Sequence, residues 1–449
     1  MNQWEIIKCP LHYQSNETTR LPLLPTSICM NKFSRLLTLL VLLSPLQVMS
    51  EDTQNQSENS NHAEQPQFGG PDSPQGQFEE AHRPKSPAFR FPILDSAFSD
   101  WKPFKAKLDD EYGLKFGGHY STMYQTNGDD NGWGGNFRLN LQWTVIGKDT
   151  ATPGYFSLLV DNRHALGRNG APGTFGKFGQ YGVTATQFGD FDGNFKIITM
   201  AWNQRIDKDT GYIIGSYDPN DYLSVQGYVN PQTTFSNVNI LLETSQALPD
   251  TAWGIAAGHW FNDSVYVQGG VTDANGYGGD GNVFFEGGAE FFKWVHLGWS
   301  PTKGDRYYKN LHIAAWHTDE REDYGQEAVW GVSSAINWTF NDVFMPFAKV
   351  GFSEGDHDFF NNTATFGILY KVMSRSDFIG IATNYGRFAN GHKNGLGGES
   401  QISSELFYNF QVSQHFAVTP SIQYIDNPLM SDVPENAETI FGVRARVDF

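Results

Sequence analysis

The sequence predicts an all-β fold: a transmembrane antiparallel β-barrel of 16 strands, with a short N-terminal helix and a disordered N-terminal tail. Three observations predict it. First, the chain ends in a strict alternation, in which Phe441, Val443, Ala445, Val447 and Phe449 fall on one face and Gly442, Arg444, Arg446 and Asp448 on the other. Period two marks a strand with different solvents on its two faces. Termini usually fray, whereas a barrel in lipid must pair its last strand with its first to leave no open edge. Second, apolar residues make up only 39% of the chain while aromatics reach 15%, and 47 glycines favour tight turns, as in barrels with wet interiors and aromatic girdles. Third, from Gly113 onward, segments of about ten residues alternate in polarity between turn residues, the weak but repeated signature of membrane strands.

Taken in chain order, residues 1–29 read as a misassigned or unusual extension, because Met30 stands directly before a secretory leader. Lys32 and Arg35 precede the apolar run Leu36–Leu46, and Val48-Met49-Ser50 follows with a small residue at its end. Eleven apolar residues are too few to cross a bilayer as a helix, and the order is that of a signal peptide over residues 30–50. The cysteines, Cys9 and Cys29, precede this run. Residues 51–94 are rich in Gln, Asn, Ser, Pro and Glu without apolar periodicity, and are expected to be a disordered polar linker. Asp95–Glu111 reads as a short periplasmic helix (residues 95–112), capped by Asp100, with Pro103 in its first turn and Trp101, Phe104 and Leu108 on one side.

Residues 113–449 form the barrel domain. Strand segments are clearest at Phe137–Ile146, Tyr155–Arg163, Leu311–His317, Val343–Phe352, Thr363–Val372, Glu399–Val412 and Phe416–Ile425. Hairpin turns are expected at Asn262-Asp263, Asn341-Asp342 and Ser374–Asp377, and outer loops at Asn127–Gly135 and Thr272–Asn282. At about 21 residues per strand and connection the domain holds about 16 strands, and single-chain bacterial barrels take even numbers. The formal charge of −18 argues against a nucleic-acid partner, which would need basic clusters.

The carboxyl-terminal block resembles the signature of the carbohydrate-selective outer-membrane porins (the OprB type). It comprises Tyr408–Val412, Ala417–Ile425 and Asn427-Pro428. Asp100-Trp101, Lys107-Leu108 and Tyr112-Gly113-Leu114 are similar to that family's amino-terminal helix and first strand, and Gly215–Tyr222 to a mid-barrel segment. The resemblance spans about residues 95–449. It implies a 16-stranded pore in a Gram-negative outer membrane that passes small sugars down their gradients, with no catalysis and no cofactor. The long 51–94 tail departs from the family.

Strand parity is a separate guide to the lumen. In Phe137–Ile146, Phe137, Leu139, Leu141, Trp143 and Val145 face lipid, leaving Arg138, Asn140, Gln142 and Thr144 inside. In Glu399–Val412, Ile402, Leu406, Tyr408 and Phe410 face lipid, leaving Glu399, Gln401, Ser403, Glu405, Asn409 and Gln411 inside. His312, Trp316, Lys349, Thr365, Lys371, Arg444 and Arg446 turn inward by the same rule. A lumen of mixed charges, amides and an occasional aromatic suits neutral, hydroxyl-rich solutes, which exchange water hydrogen bonds at small net cost. Contacts must stay weak for conduction. Arg444 and Arg446 fit an anion-preferring or general porin equally well. Phe441, Val443, Val447 and Phe449 are candidates for an assembly signal read by the barrel assembly machinery, with outer-membrane lipid as the surrounding partner.

Other motifs carry little. Gly351–Gly355 matches G-x-S-x-G, but it leads into an Asp/Asn-rich loop rather than a helix, so an outer-membrane lipase or protease is the weaker alternative. Asp273-Ala274-Asn275 and Asp280-Gly281-Asn282 lack the spacing of a calcium loop. His317 beside Asp319 and Glu320 has no second histidine at strand spacing. No metal site is expected.

Overall fold

The computed structural model describes residues 68–83, 85–87, 89, 101–173, 188–276, 288–321, 326–355, 357, 360–372, 376–388, 400–428 and 437–449. The expected leader, both cysteines, Asp100 and Glu399 lie outside these residues. Helix α1 (Pro74–His82) is followed by α2 (Trp101–Tyr112). The strands are β1 (Leu114–Thr126), β2 (Asn131–Ile146), β3 (Gly154–Ala165), β4 (Phe195–Arg205), β5 (Thr210–Tyr217), β6 (Ala252–Trp260), β7 (Val265–Asp273) and β8 (Phe291–Trp299). They continue with β9 (Lys309–Thr318), β10 (Val329–Trp338), β11 (Phe344–Glu354), β12 (Phe360–Lys371), β13 (Phe378–Phe388), β14 (Ser400–Gln411), β15 (Phe416–Asp426) and β16 (Ala437–Asp448). The loop between β5 and β6 carries two single turns of helix, α3 (Asn220–Leu223) and α4 (Val238–Leu241). Each strand pairs with its sequence neighbours, and β1 pairs with β16 to close the barrel.

Closure follows from the last strand. β16 runs antiparallel to β1 from Thr126↔Phe441 to His119↔Asp448. Beyond it, Phe449 donates its N–H to the Gly118 carbonyl at 3.0 Å and accepts the Gly118 N–H at 3.3 Å. The Phe449 ring stacks on Phe137 at 5.8 Å. Gly118 makes room for it, since a Cβ there would sit 2.9 Å from the ring. A pair of backbone bonds at the last residue satisfies groups that would otherwise face lipid unpaired.

The parity expected from sequence sets the two faces. Phe137, Leu139 and Leu141 alternate with buried Asn136, Arg138 and Asn140 along β2, and exposed Phe441 and Val443 alternate with buried Gly442 and Arg444 along β16. Aromatics recur at strand ends: Trp299 stacks on Trp338 at 5.7 Å near one rim, and Trp330 meets Phe352 edge-on at 6.0 Å near the other, the girdle arrangement of membrane barrels. Asn341 and Asp342 both take positive φ in the β10–β11 turn, as a type I′ hairpin requires. Gly113, at φ +67, ends α2 in the left-handed region, and its N–H bonds the Asp109 carbonyl at 2.8 Å.

Two expectations are corrected. The outer loop placed at Asn127–Gly135 is a turn of residues 127–130 only, with Gly132, Gly134 and Gly135 inside β2. Asn127 Oδ1 accepts the N–H groups of Asp129 and Asp130, an Asx turn that lets the strands meet early. Residues 68–83, placed in a disordered linker, are folded. Ser73 caps α1 by accepting the Gly76 N–H, and Pro74 opens it, while Phe68 and Phe78 are buried.

Because the ladder closes through Gly118 and Phe449, deleting Phe449 or substituting Gly118→Val should cut the folded, heat-modifiable fraction on mild-detergent gels severalfold. Lys107→Ala on exposed α2 should leave that fraction at the wild-type level.

Candidate functional site

A barrel of 16 strands is wider than its own side chains fill. Here the loop of residues 218–251 folds inward and crosses the lumen. Its contacts reach the inner wall on every side. Gln226 Nε2 lies 2.9 Å from His312 Nδ1 on β9, and Gln246 donates to Ser333 on β10 at 3.0 Å. Lys349 on β11 donates to the Leu242 carbonyl, and Thr363 on β12 to Glu243. Glu405 on β14 accepts the backbone N–H groups of Ser236 and Asn237 and the Ser236 hydroxyl, at 2.8–3.0 Å. Asn237 donates to Gln423 on β15 at 2.9 Å. Arg444 on β16 donates to the carbonyls of Pro231 and Thr234 at 2.6 and 2.7 Å.

The loop also has an apolar seat. Tyr228 stacks on Phe347 at 3.8 Å between ring centres, and Phe235 meets Phe407 edge-on at 4.8 Å. Met345 and Leu369 join them in one buried cluster. Such aromatic pairs contribute about 0.5–1.5 kcal/mol each beyond area burial. A second cluster joins Tyr222 and Leu223 of the loop to Trp260, Phe292, Trp294 and Trp316 of the wall.

The N-terminal segment enters this space as well. Arg138 forms a bidentate pair with Asp161 at 2.7 and 2.8 Å and reaches Asp72 at 3.0 Å. The Gly70 N–H donates to the Asp221 carbonyl at 2.5 Å, joining the two inserted segments. Toward the short-turn end, a cavity of about 1250 Å³ opens among Gln75, Glu79, Lys105, Gln142, Tyr155 and Asn203. In bacterial barrels the short turns are periplasmic.

The structure brings most of the expected lumen residues to the inner wall, but against protein rather than water. Arg138, Asn140, Gln401, Glu405, Asn409, Gln411, Arg444 and Arg446 are buried there. Asn409 reaches Thr419 at 3.0 Å, Gln401 reaches Ser403 at 3.0 Å, and Gln411 bonds the Ser413 carbonyl at 2.7 Å. Arg446 pairs with Asp448 at 2.6 Å. Gln142 lines the cavity. Trp316 is inward, yet it packs on Phe292 and over Gly331, where a Cβ would meet its ring at 2.6 Å, so its face is not offered to a solute. Lys371 stands exposed at the end of β12. The inward apolar residues Met345, Phe347, Leu369 and Phe407 depart from the expected polar lining. Parity marks their face but not the protein packed opposite them.

Of the remaining motifs, Asp280-Gly281-Asn282 lies outside the described residues. Ser353 Oγ lies 2.8 Å from His357 Nε2, but both are buried at the end of β11, which leads to another strand. His317 and Lys293 both meet Asp319, and no group of three metal-ligating side chains occurs among the described residues.

Burial sets the charge state of the inserted segments. It pushes the Asp218 carboxyl up to about 7, with the nearby Asp250 carboxylate adding to the effect, and Asp221 well above the usual range, with Asp218 and Asp72 as further causes. Groups whose folded value is raised contribute stability at low pH and lose it as pH rises. Thermal unfolding of the detergent-solubilised protein should therefore shift to lower temperature as pH climbs from about 4 through about 7, and Asp218→Asn should flatten that decline. A steeper decline in the variant would contradict the assignment. Arg444→Ala removes a clamp on residues 231–234. It should broaden the single-channel conductance steps while leaving heat-modifiable folding intact.

Comparison with known proteins fits this architecture. The model of the carbohydrate-selective porin family, OprB, matches residues 337–449, the part of the wall from the end of β10 through β16. The high-pH structure of Pseudomonas putida OprB is similar at a TM-score of 0.57 with 13% identity, over 78% of this chain and 97% of that one. Its low-pH structure gives 0.47 with 14% identity over the same shares. OmpT of Vibrio cholerae, in a loop-deleted form, gives 0.47 with 13% identity over 75% and 99%. Comparison with curated proteins returns no match. The chain folds as a closed 16-stranded barrel, and its stretch from the end of β10 through the last six strands matches the model of the carbohydrate-selective porin family.

Proposed function

We propose that this chain is a bacterial outer-membrane channel for passive diffusion of small carbohydrates, monosaccharides and small oligosaccharides, without catalysis. The observation that carries the reading is the carbohydrate-selective porin match over residues 337–449, on the wall that presents Gln401, Glu405, Asn409, Gln423 and Arg444 inward. Amides and paired charges at the inner wall offer hydroxyls both donors and acceptors.

The charge arrangement favours neutral solutes over anions. Arg138 and Arg163 share Asp161, and Arg446 is held by Asp448, so each of these three wall arginines already has a carboxylate partner. A general or anion-preferring porin remains the second reading, supported by Arg444, whose donors meet only carbonyls. Export by a leader at about residues 30–50, and recognition of Phe441, Val443, Val447 and Phe449 by the barrel assembly machinery, complete the proposal. Arg138, Asn140, Gln142, Trp316, Lys349, Lys371, Glu399, Gln401, Glu405, Asn409, Gln411, Arg444 and Arg446 remain pore-lining candidates for the conducting state.

Liposome swelling across sugars, amino acids and salts of matched size tests the reading. Faster swelling with neutral sugars is expected. Equal rates for all solutes of one size would establish a general porin, and an anion-selective reversal potential the rival.

A further inference from the structure

The barrel wall is complete without residues 68–83, because β1–β16 close on one another. Those residues nevertheless occupy the lumen beside the inserted loop. Arg306 donates to the carbonyls of Phe68 and Gly69, and the Tyr307 hydroxyl to Gly69 at 2.8 Å. Asp72 meets Arg138, and Gln75 donates to the Tyr155 hydroxyl at 3.2 Å. Arg83 reaches the Tyr308 hydroxyl at 2.6 Å, and Lys85 pairs with Asp448 at 2.8 Å.

The effect on the lumen is measurable. Arg138, Asp161, Gln268, His296 and Arg306 all point inward yet are at most 2% exposed. The inserted segments cover these side chains. Residues 68–83 thus stand against the inner wall, in the space a solute would have to cross. The contacts that hold them there are mainly polar. Such bonds can be exchanged for bonds to water, and a nine-residue helix has little stability of its own. The wall ladder is a different matter, since its bonds have no water to exchange with in lipid.

We propose that residues 68–83 form a displaceable gate inside the barrel, which shuts the channel at the level of loop 218–251 and must leave that position for solute to pass. Its latches are Asp72 on Arg138 and the Phe68 and Gly69 carbonyls on Arg306 and Tyr307. The proposal rests on the channel reading above and adds its regulation.

A disulfide lock tests it. A Cβ at Gly258 would lie 2.6 Å from Phe68 Cγ, so the Cβ atoms of a Phe68→Cys, Gly258→Cys pair fall about 4 Å apart, within disulfide range. With Cys9 and Cys29 replaced by serine, the pair is the protein's sole thiol couple. In planar bilayers, oxidation should lower the mean ionic current roughly tenfold or more by removing the open population, and reductant should restore it. Deleting residues 68–83 should leave a heat-modifiable barrel with severalfold higher mean current. A locked protein that conducts as well as the reduced one overturns the gate, as does a deleted, assembled barrel with unchanged current. Ionic current does not depend on sugar preference, so this failure is distinguishable from failure of the sugar reading in swelling assays.

Discussion

The pairing of β1 with β16 is the constraint on which the rest depends. In hydrocarbon an unpaired backbone N–H or C=O has no water to turn to, so the sheet must have no edge. Residues more than three hundred apart in sequence have to meet, with Thr126 against Phe441 at one end and Gly118 against Phe449 at the other. That contact is the most non-local in the fold and is entropically costly to form early. The terminal aromatic stabilises it at the point where a chain end would otherwise fray, by stacking on Phe137.

Closing so many strands creates a second problem, because the enclosed space exceeds what side chains alone can fill. Residues 218–251 answer it by carrying apolar groups into the lumen. The inner wall is consequently divided. Phe347, Phe407, Met345 and Leu369 form a dry seat for the loop, while Glu405, Lys349 and Arg444 hold its backbone by hydrogen bonds to ionised groups, which contribute about 1.5–3 kcal/mol each. Three of the residues that sequence parity offers as solute contacts, Lys349, Glu405 and Arg444, serve as anchors for the loop.

The fold was legible because period two survives in almost every strand and because the C-terminal strand announces closure. The site was legible only by face. Arg138 and Arg446 could be placed inward from parity, but their partners Asp161, Asp72 and Asp448 depend on register and on an inserted segment that no periodicity marks. Two local features of the chain bear on the inserted segments. Ser73-Pro74 is a cap and first-turn pair that a compositional reading of residues 51–94 overlooks. Large apolar residues at inward parity, such as Phe347 and Phe407, indicate that something other than water lies opposite them.

The three layers of the molecule differ in how strongly they are held. The ladder is held by bonds without an aqueous alternative, and the loop by buried aromatic pairs together with ionised clamps. Residues 68–83 are held by the Asp72–Arg138 pair, by Arg306 and Tyr307 on their carbonyls and by buried Phe68 and Phe78, but they add no bond to the ladder, which closes without them. Motion on the scale of function is drawn from the weakest layer of a structure. In this barrel that layer lies directly across the path a solute would take. The segment least needed for folding is therefore the one best placed to govern passage.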